Sequence, residues 1–100
     1  MSIDAVEEGF REKLEMMSSL DSKVAYDFGD DGLIFIDATV SPPTMGREDL
    51  GSDCTIKISL ENFEKLATGD LDPMMAFTMG KLKVEGNMGI AMKLSSLLND

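Results

Sequence analysis

The sequence has 100 residues and a formal net charge of −10 from 19 acidic and 9 basic side chains. A chain of this length supports one hydrophobic core, so we predict a single domain over residues 1–100. It lacks histidine and has one cysteine, Cys54, which excludes disulfide scaffolds, Cys/His zinc sites and catalytic triads. We expect no metal and no cofactor. The acidic charge argues against a nucleic-acid partner and against tight electrostatic docking on anionic lipid.

The first half of the sequence predicts a helix followed by a β-hairpin. After a candidate helix-capping residue, Asp4, apolar residues recur at the spacing of one helix face, at Val6, Phe10, Leu14 and Met17. Residues 24–28 and 33–40 follow strand patterns on either side of a Gly-Asp-Asp-Gly turn. Residues 41–52, with two prolines and two glycines, are predicted to be a loop.

The second half predicts a strand, two short helices, a strand and a last helix. Residues 54–60 alternate as a strand, which makes the single cysteine a small core residue rather than a reactive thiol. Ser59 is placed to cap the first short helix and Gly69 to end it, and Asp72-Pro73 begins the second. Residues 81–85 alternate again, before the last helix. This order indicates an antiparallel-rich sheet with helices on one face.

The last helix carries more apolar surface than packing on a sheet requires. Its apolar side chains cover well over half of the circumference and leave mainly Lys93 and Ser96 for water, whereas one sheet contact needs a stripe of ~100°. Five of the nine methionines lie between Met74 and Met92, and methionine suits walls that accept variable apolar shapes. Gly89, inside the helix, indicates the close approach of another group. This additional apolar surface could pack in an irregular core, against a protein partner or against a ligand.

Residues 76–77, 80–83 and 86–94 read AF, GKLK and GNMGIAMKL. Together they resemble the hallmark of the sterol carrier, or non-specific lipid-transfer, family, the type-2 sterol carrier domain. Residues 53–59 and the capped helix starts after them are similar to the same family. The resemblance implies an α/β (α+β) fold, in which helices cover one face of a mostly antiparallel sheet of about five strands and a hydrophobic tunnel runs between them.

Family members bind fatty acids, fatty acyl-CoA, phospholipids or sterols without altering them, so the resemblance implies a non-catalytic lipid carrier and not an enzyme. Carried over by position, the implied ligand-binding residues are Phe77, Met79, Leu82, Met88, Ile90, Met92 and Leu97. Phe35 is added from the alternation of its strand.

We therefore expect a cytoplasmic domain whose partner is a small hydrophobic lipid, with no more than transient membrane contact. Residues 1–10 are acidic and lack both the positively charged region and the apolar region of a secretion signal. The alternative is an interaction or dimerisation module, in which the apolar C-terminal helix packs on a partner protein or on a second subunit of a homodimer.

Overall fold

The computed structural model describes residues 2–98, with side chains described for residues 2–94. Within this part of the chain the α-helices are α1 (Ile3–Glu12), α2 (Leu60–Thr68), α3 (Pro73–Thr78) and α4 (Met88–Leu98), and a 3-10 helix, Leu14–Leu20, follows α1. The strands are β1 (Lys23–Asp27), β2 (Leu33–Asp37), β3 (Thr44–Gly46), β4 (Cys54–Ile58) and β5 (Leu82–Gly86). None of the helices in these residues combines the length and the hydropathy that crossing a bilayer requires.

The five strands form one sheet in the order β3-β2-β1-β4-β5. Strand β1 pairs in parallel with β4, and the other three pairs are antiparallel. Ile34, Ile36 and Ile56 belong to the main core cluster, which also contains apolar residues of all four α-helices. Because successive side chains of a strand point to opposite faces, the helices cover one face of the sheet. The predicted fold class, a mostly antiparallel sheet of five strands with helices on one face, is confirmed.

Four aromatic rings fill the part of the core that lies under α1 and α2. Phe10, Tyr26, Phe28 and Phe63 have ring centroids 5.1 to 6.0 Å apart in the contacting pairs, which is the usual range for favourable aromatic contacts. This part of the core is occupied by the protein's own side chains. Most of the large apolar side chains that remain exposed in the described residues lie in or next to α3 and α4.

Local signals placed the helix starts correctly, with one exception. Ser59 Oγ accepts a hydrogen bond of 3.1 Å from the amide of Asn62, and Asp72 caps α3, so both predicted caps are confirmed. The prediction of Asp4 as the cap of α1 is wrong, because Ser2 Oγ accepts from the amide of Ala5 at 3.3 Å.

Other boundaries also differ from the prediction. The strand predicted over residues 33–40 ends at Asp37, where the Asp37 carboxylate accepts a hydrogen bond of 2.9 Å from the amide of Thr39. Residues 44–46, inside the predicted loop, form the edge strand β3 and pair with β2; three residues are too few to show a strand pattern. Leu14 and Met17 do not continue α1 but lie in the 3-10 helix, where the side chain of Met17 is fully buried. Helical spacing alone does not distinguish an α-helix from a 3-10 helix over so short a segment.

The junction between β5 and α4 depends on a glycine. Gly86 has a φ of +92°, and a Cβ at this position would lie 2.3 Å from the carbonyl oxygen of Asp53. That oxygen also accepts a hydrogen bond of 3.3 Å from the amide of Asn87, while the Asp53 carboxylate accepts one of 3.0 Å from the amide of Lys23. Asp53 thus joins the start of β1 to the start of α4.

We expect Gly86→Ala to lower the free energy of unfolding by about 2 kcal/mol or more, because it adds backbone strain and a clash with main-chain atoms. Chemical denaturation of the parent and the variant measures the difference. Gly9→Ala is the control: Gly9 lies inside α1 with open space where its Cβ would be, so alanine should stabilise by up to about 1 kcal/mol. Equal stability of Gly86→Ala and the parent would contradict the prediction.

An ion-pair cluster fastens the residue after β3 to α1. Arg47 Nη2 lies 2.6 Å from Asp4 Oδ1, and Arg47 Nε donates to Glu7 Oε2. Glu7 also accepts from Arg11 at 3.0 Å. The hydrogen bonds from Arg47 and then Arg11 lower the pKa of Glu7 below its ordinary value of 4.5. The ionised form of Glu7 is therefore favoured by folding.

Because the folded-state pKa of Glu7 is lowered, its contribution to stability is complete above pH 4.5 and is lost as the pH falls through the lowered value. We expect Glu7→Gln to lower the thermal unfolding midpoint at pH 7 and to unfold with the parent well below pH 4.5. Thermal unfolding followed by circular dichroism over this pH range measures the difference between the two midpoints. Glu8→Gln, at the neighbouring exposed position, is the control. A difference in midpoint between the parent and Glu7→Gln that stays constant with pH would contradict the stabilising role of ionised Glu7.

Candidate functional site

Helix α3 rests on the sheet through one small residue and exposes large apolar side chains around it. Ala76 is fully buried, whereas Met74, Met75, Phe77 and Met79 are 61%, 57%, 41% and 56% exposed. The helix contacts β5. An apolar surface of this kind is uncommon on a monomer and marks a site for a ligand, a membrane or another protein.

Helix α4 begins at a side-chain cap that also explains its glycine. Asn87 Oδ1 accepts hydrogen bonds from the amides of Gly89 at 2.9 Å and Ile90 at 3.3 Å. Among the described residues, this same oxygen is the group nearest to a Cβ built on Gly89, at 3.2 Å. The close approach that Gly89 indicates is therefore made by the helix cap.

The two sides of α4 have different environments. Ala91 and Leu94 are buried in the core, and α4 contacts β4, β5 and the 3-10 helix. Met88 and Met92 are 41% and 56% exposed and, being four residues apart, lie on one face of the helix. Between the two sides, Lys93 Nζ donates a hydrogen bond of 2.8 Å to the carbonyl oxygen of Ser19. This bond fastens α4 to the end of the 3-10 helix.

The structure brings six of the eight predicted site residues onto the α3, β5 and α4 segment. Leu82 is buried in the core cluster and Ile90 is half-buried against it, whereas the other four are the exposed Phe77, Met79, Met88 and Met92. Both helices contact β5. Two of these candidate residues therefore pack on the core, and the other four face solvent.

The two remaining candidates lie elsewhere. Phe35 is buried and pairs across the sheet with Ala25 and Gly46. Its neighbours Ile34 and Ile36 point into the core under the helices, so the side chain of Phe35 lies on the opposite face of the sheet. The structure does not bring it together with α3 and α4. The side chain of Leu97 lies outside the described residues.

Two exposed methionines, Met74 and Met75, belong to the same surface but were missing from the predicted site. The density of methionines between residues 74 and 92 was the signal that could have found them. A third exposed methionine, Met16, lies on the 3-10 helix that contacts α4.

The side chains best suited to covalent chemistry are buried away from this surface. Burial raises the pKa of the Tyr26 hydroxyl above its ordinary value of 10.0, and burial likewise raises the pKa of the Cys54 thiol. Both groups stay protonated near neutral pH. Within the described part of the chain, no cluster of carboxylates and cysteine could hold a metal ion.

The two sides of α4 should respond differently to truncation. Leu94 is fully buried, so Leu94→Ala should lower the free energy of unfolding by about 2–5 kcal/mol through lost burial and a cavity. Met92→Ala removes a side chain that is more than half exposed, and we expect a change within about 0.5 kcal/mol. Urea denaturation of both variants tests this assignment, and a large loss in Met92→Ala would place Met92 in the core instead.

Comparison with known proteins identifies the family. The chain is 51% identical to human sterol carrier protein 2 over 51 residues, which are 51% of this chain and 9% of the human protein; it therefore spans about a tenth of that relative's length. Its fold is similar to apo sterol carrier protein 2 from Yarrowia lipolytica, with a TM-score of 0.74, 20% identity, and coverage of 95% of this chain and 84% of that one.

A similar fold is also found in sterol carrier protein-2 from Aedes aegypti in complex with the C16 fatty acid palmitate. The TM-score is 0.65 at 11% identity, and the match covers 90% of this chain and 94% of that one. The model of the SCP-2 sterol transfer family matches residues 3–99. The chain therefore belongs to the SCP-2 sterol transfer family.

Proposed function

We propose that this domain binds one hydrophobic lipid without covalent chemistry and carries it in an apolar site that opens to the surface at helices α3 and α4. The ligand class is a lipid with a single long chain, such as a fatty acid or a fatty acyl-CoA. The observation that supports this most directly is the exposure of Phe77, Met79, Met88 and Met92 on the two helices that flank β5.

The chemistry of this surface suits an alkyl chain. Methionine is unbranched and polarizable, so several methionines adapt to chains of different length and bend. Leu82 and Ile90 provide an apolar floor where the two helices meet the core. The palmitate bound by the related Aedes aegypti protein is a ligand of this kind.

The energetics permit useful affinity. Each buried methylene contributes about 0.8 kcal/mol, so a chain of about 16 carbons offers roughly 12 kcal/mol before the costs of ordering and association. A micromolar dissociation constant requires about 8 kcal/mol. Partial burial of the acyl chain is therefore enough for a carrier that must also release its lipid.

The proposal assigns no catalytic residue. Tyr26 lies in the aromatic part of the core and Cys54 lies under α4, both buried and both with a raised pKa. Turnover of an acyl-CoA or an ester by the purified protein, lost in Tyr26→Phe, would overturn the non-catalytic part of the proposal.

Native mass spectrometry of the gently purified protein is the first experiment. We expect a monomer that carries a lipid mass, which denaturing extraction then identifies, or that takes up added palmitate at about one per chain. A lipid-free protein that rejects palmitate would overturn the proposal.

Met92→Trp tests the location of the site. We expect it to weaken binding of a fluorescent 16-carbon fatty acid by about tenfold or more, because the indole occupies space at the α4 surface. The unfolding midpoint should change little, since Met92 is exposed. Leu50→Trp is the matched control, because Leu50 is also exposed but lies in the connection between β3 and β4. Equal fatty-acid affinity of Met92→Trp and the parent would place the site elsewhere.

The rival function is a dimerisation or interaction module that uses the same surface. The observation in its favour is that Met88 and Met92 form an exposed apolar face on α4, which a protein partner could cover as well as a lipid. A lipid-free dimer that Met92→Trp converts to a monomer would establish this function instead.

A further inference from the structure

We propose that the outer edge of β5 is a self-association site, at which two copies of this chain pair their β5 strands antiparallel about Val84. Such a dimer has a twofold axis at Val84 and joins two five-stranded sheets into one sheet of ten strands. The inference does not rest on the proposed lipid-binding function, and its interface is separate from the apolar face of α4. It depends on the main chain of β5 and on two charged side chains, Lys83 and Glu85.

The outer edge of β5 is open in the part of the chain that the structure describes. Strand β5 is the last strand at its end of the sheet and pairs on one side with β4. The other described residues make no main-chain hydrogen bond to residues 82–86. Lys83, Glu85 and Gly86 are exposed. Unpaired N–H and C=O groups along the edge of a sheet are a template for a further strand.

The pairing of β5 with β4 shows which main-chain groups point outward. Gly86 lies opposite Cys54, and a hydrogen bond of 3.3 Å from the amide of Asn87 to the carbonyl oxygen of Asp53 lies just beyond this pair. Gly86 and Cys54 are therefore a non-hydrogen-bonded pair. In an antiparallel ladder such pairs alternate with hydrogen-bonded pairs, so this one bond fixes the direction of the groups along the whole strand.

The alternation divides β5 into inward and outward residues. Lys83 and Glu85 direct their main-chain groups toward β4, so Leu82, Val84 and Gly86 direct theirs toward the open edge. Leu82 and Val84 pack their side chains on the core, so the side chains of Lys83 and Glu85 lie on the face of the sheet opposite the helices. A further strand would bond to the three outward residues and meet the two charged side chains.

Lys83 has an unfavourable neighbour in its own chain. It lies directly opposite Lys57 in β4, and like charges in this position destabilise a strand pair. Lys57 forms an ion pair of 3.0 Å with Glu85, whereas Lys83 has no ion pair among the described residues. An acidic side chain on the open side of Lys83 would offset the repulsion between the two lysines.

A second copy of β5 supplies that acidic side chain. Pairing about Val84 places Lys83 of each copy directly opposite Glu85 of the partner copy, and the twofold axis makes this contact twice. These are non-hydrogen-bonded positions of the new pair, where facing residues lie closest, and opposite charges there stabilise the pairing. Leu82 faces Gly86 of the partner copy, so all the outward main-chain groups of one strand meet those of the other.

The other registers fit less well. The main-chain groups require the twofold axis to lie at an outward residue, which leaves three choices. An axis at Leu82 places Lys81 opposite Lys83 of the partner copy, where like charges repel. An axis at Gly86 extends the pairing into α4, whose main chain is helical. The axis at Val84 is the one that matches the charges and stays within the strand.

The charge of β5 favours pairing with itself over pairing with other strands. A lysine on an edge strand opposes the addition of most strands, but Glu85, two residues after Lys83, removes this opposition for a second copy of β5. The strand carries one positive and one negative side chain. The net charge of −10 on each chain repels the copies at long range, and salt screens this repulsion beyond about 8 Å at physiological ionic strength.

The interface is small, so the dimer should be weak and reversible. A standard protein interface buries about 800 Å² on each partner, and β5 has five residues. The dimer population rises with protein concentration by mass action. We therefore expect a monomer in the dilute solutions used for native mass spectrometry and a dimer in concentrated solution.

The dimer orients both copies in the same way. Facing residues of an antiparallel pair have their side chains on one face of the sheet, and Leu82 and Val84 lie on the helix side in both copies. The helices of the two copies therefore cover the same face of the joined sheet. The two surfaces formed by α3 and α4 open on the same side of the dimer.

Sedimentation velocity of the full chain between about 5 and 500 μM is the test, because association follows mass action. We expect the parent to change from monomer to a monomer–dimer equilibrium over this range. Lys83→Glu and Glu85→Lys each place like charges at both contacts and should weaken association by about tenfold or more. An equimolar mixture of these two variants restores opposite charges at both contacts and should associate as the parent does.

Lys81→Glu is the matched control, because it makes the same change of charge two residues before Lys83. In the proposed register its position faces the neutral Asn87 of the partner copy, so association should stay within about threefold of the parent. Circular dichroism verifies that each variant is folded. A parent that stays monomeric over the whole range overturns the proposal. So does a mixture of Lys83→Glu and Glu85→Lys that fails to associate, or a loss in Lys81→Glu as large as in Lys83→Glu.

Amide hydrogen exchange, measured by nuclear magnetic resonance, tests the main-chain part of the interface. The amide of Val84 points to the open edge, so its exchange should slow by about twofold or more between the dilute and the concentrated protein. The amide of Lys83 bonds to β4 and should be protected at both concentrations. Exchange of the Val84 amide that does not depend on concentration overturns the β5 interface.

Two further measurements separate this dimer from the functions proposed above. A dimer that Met92→Trp dissociates and Lys83→Glu leaves intact belongs to the face of α4, which overturns the β5 interface. Lys83 and Glu85 lie on the face of the sheet opposite the helices, so both charge variants should bind the fluorescent fatty acid as the parent does. Failure of the parent to bind any fatty acid, with its self-association unchanged, overturns the carrier function alone.

Discussion

Two buried alanines determine how the candidate site is exposed. Ala76 is the residue at which α3 enters the core, and Ala91 does so for α4 together with Leu94; a methyl group at Ala76 and Ala91 allows each helix to lie close to its support. The residues that follow these alanines, Phe77 and Met92, lie about 100° further around each helix and stay at the surface. Close packing at small residues and exposed methionines beside them are therefore two results of one constraint.

The ends of this region are held by polar contacts of the backbone. Asp72 caps α3 and Asn87 caps α4, while Gly86 allows the chain to turn against the carbonyl of Asp53. The amine of Lys93 then reaches Ser19 on the 3-10 helix. These bonds position α3 and α4 without using the apolar side chains, which leaves those side chains available for contact with something other than the protein's own core.

The sequence predicted the elements that have strong local chemistry. Ser59, Asp72 and Gly69 marked helix ends correctly, because capping depends on neighbouring backbone groups only. The edge strand at residues 44–46 was missed because pairing with β2, and not its own pattern, makes it a strand. The cap of α1 was misplaced by two residues, since both Ser2 and Asp4 are good caps.

The candidate site was predictable in its sequence location but not in its exposure. A surplus of apolar residues on α4 is visible from the sequence, whereas the division into a buried side at Leu94 and an open side at Met92 depends on where the helix lies over β4 and the 3-10 helix. Strand alternation added Phe35 to the site candidates but could not say which face of the sheet the helices occupy. That choice depends on contacts between distant parts of the chain.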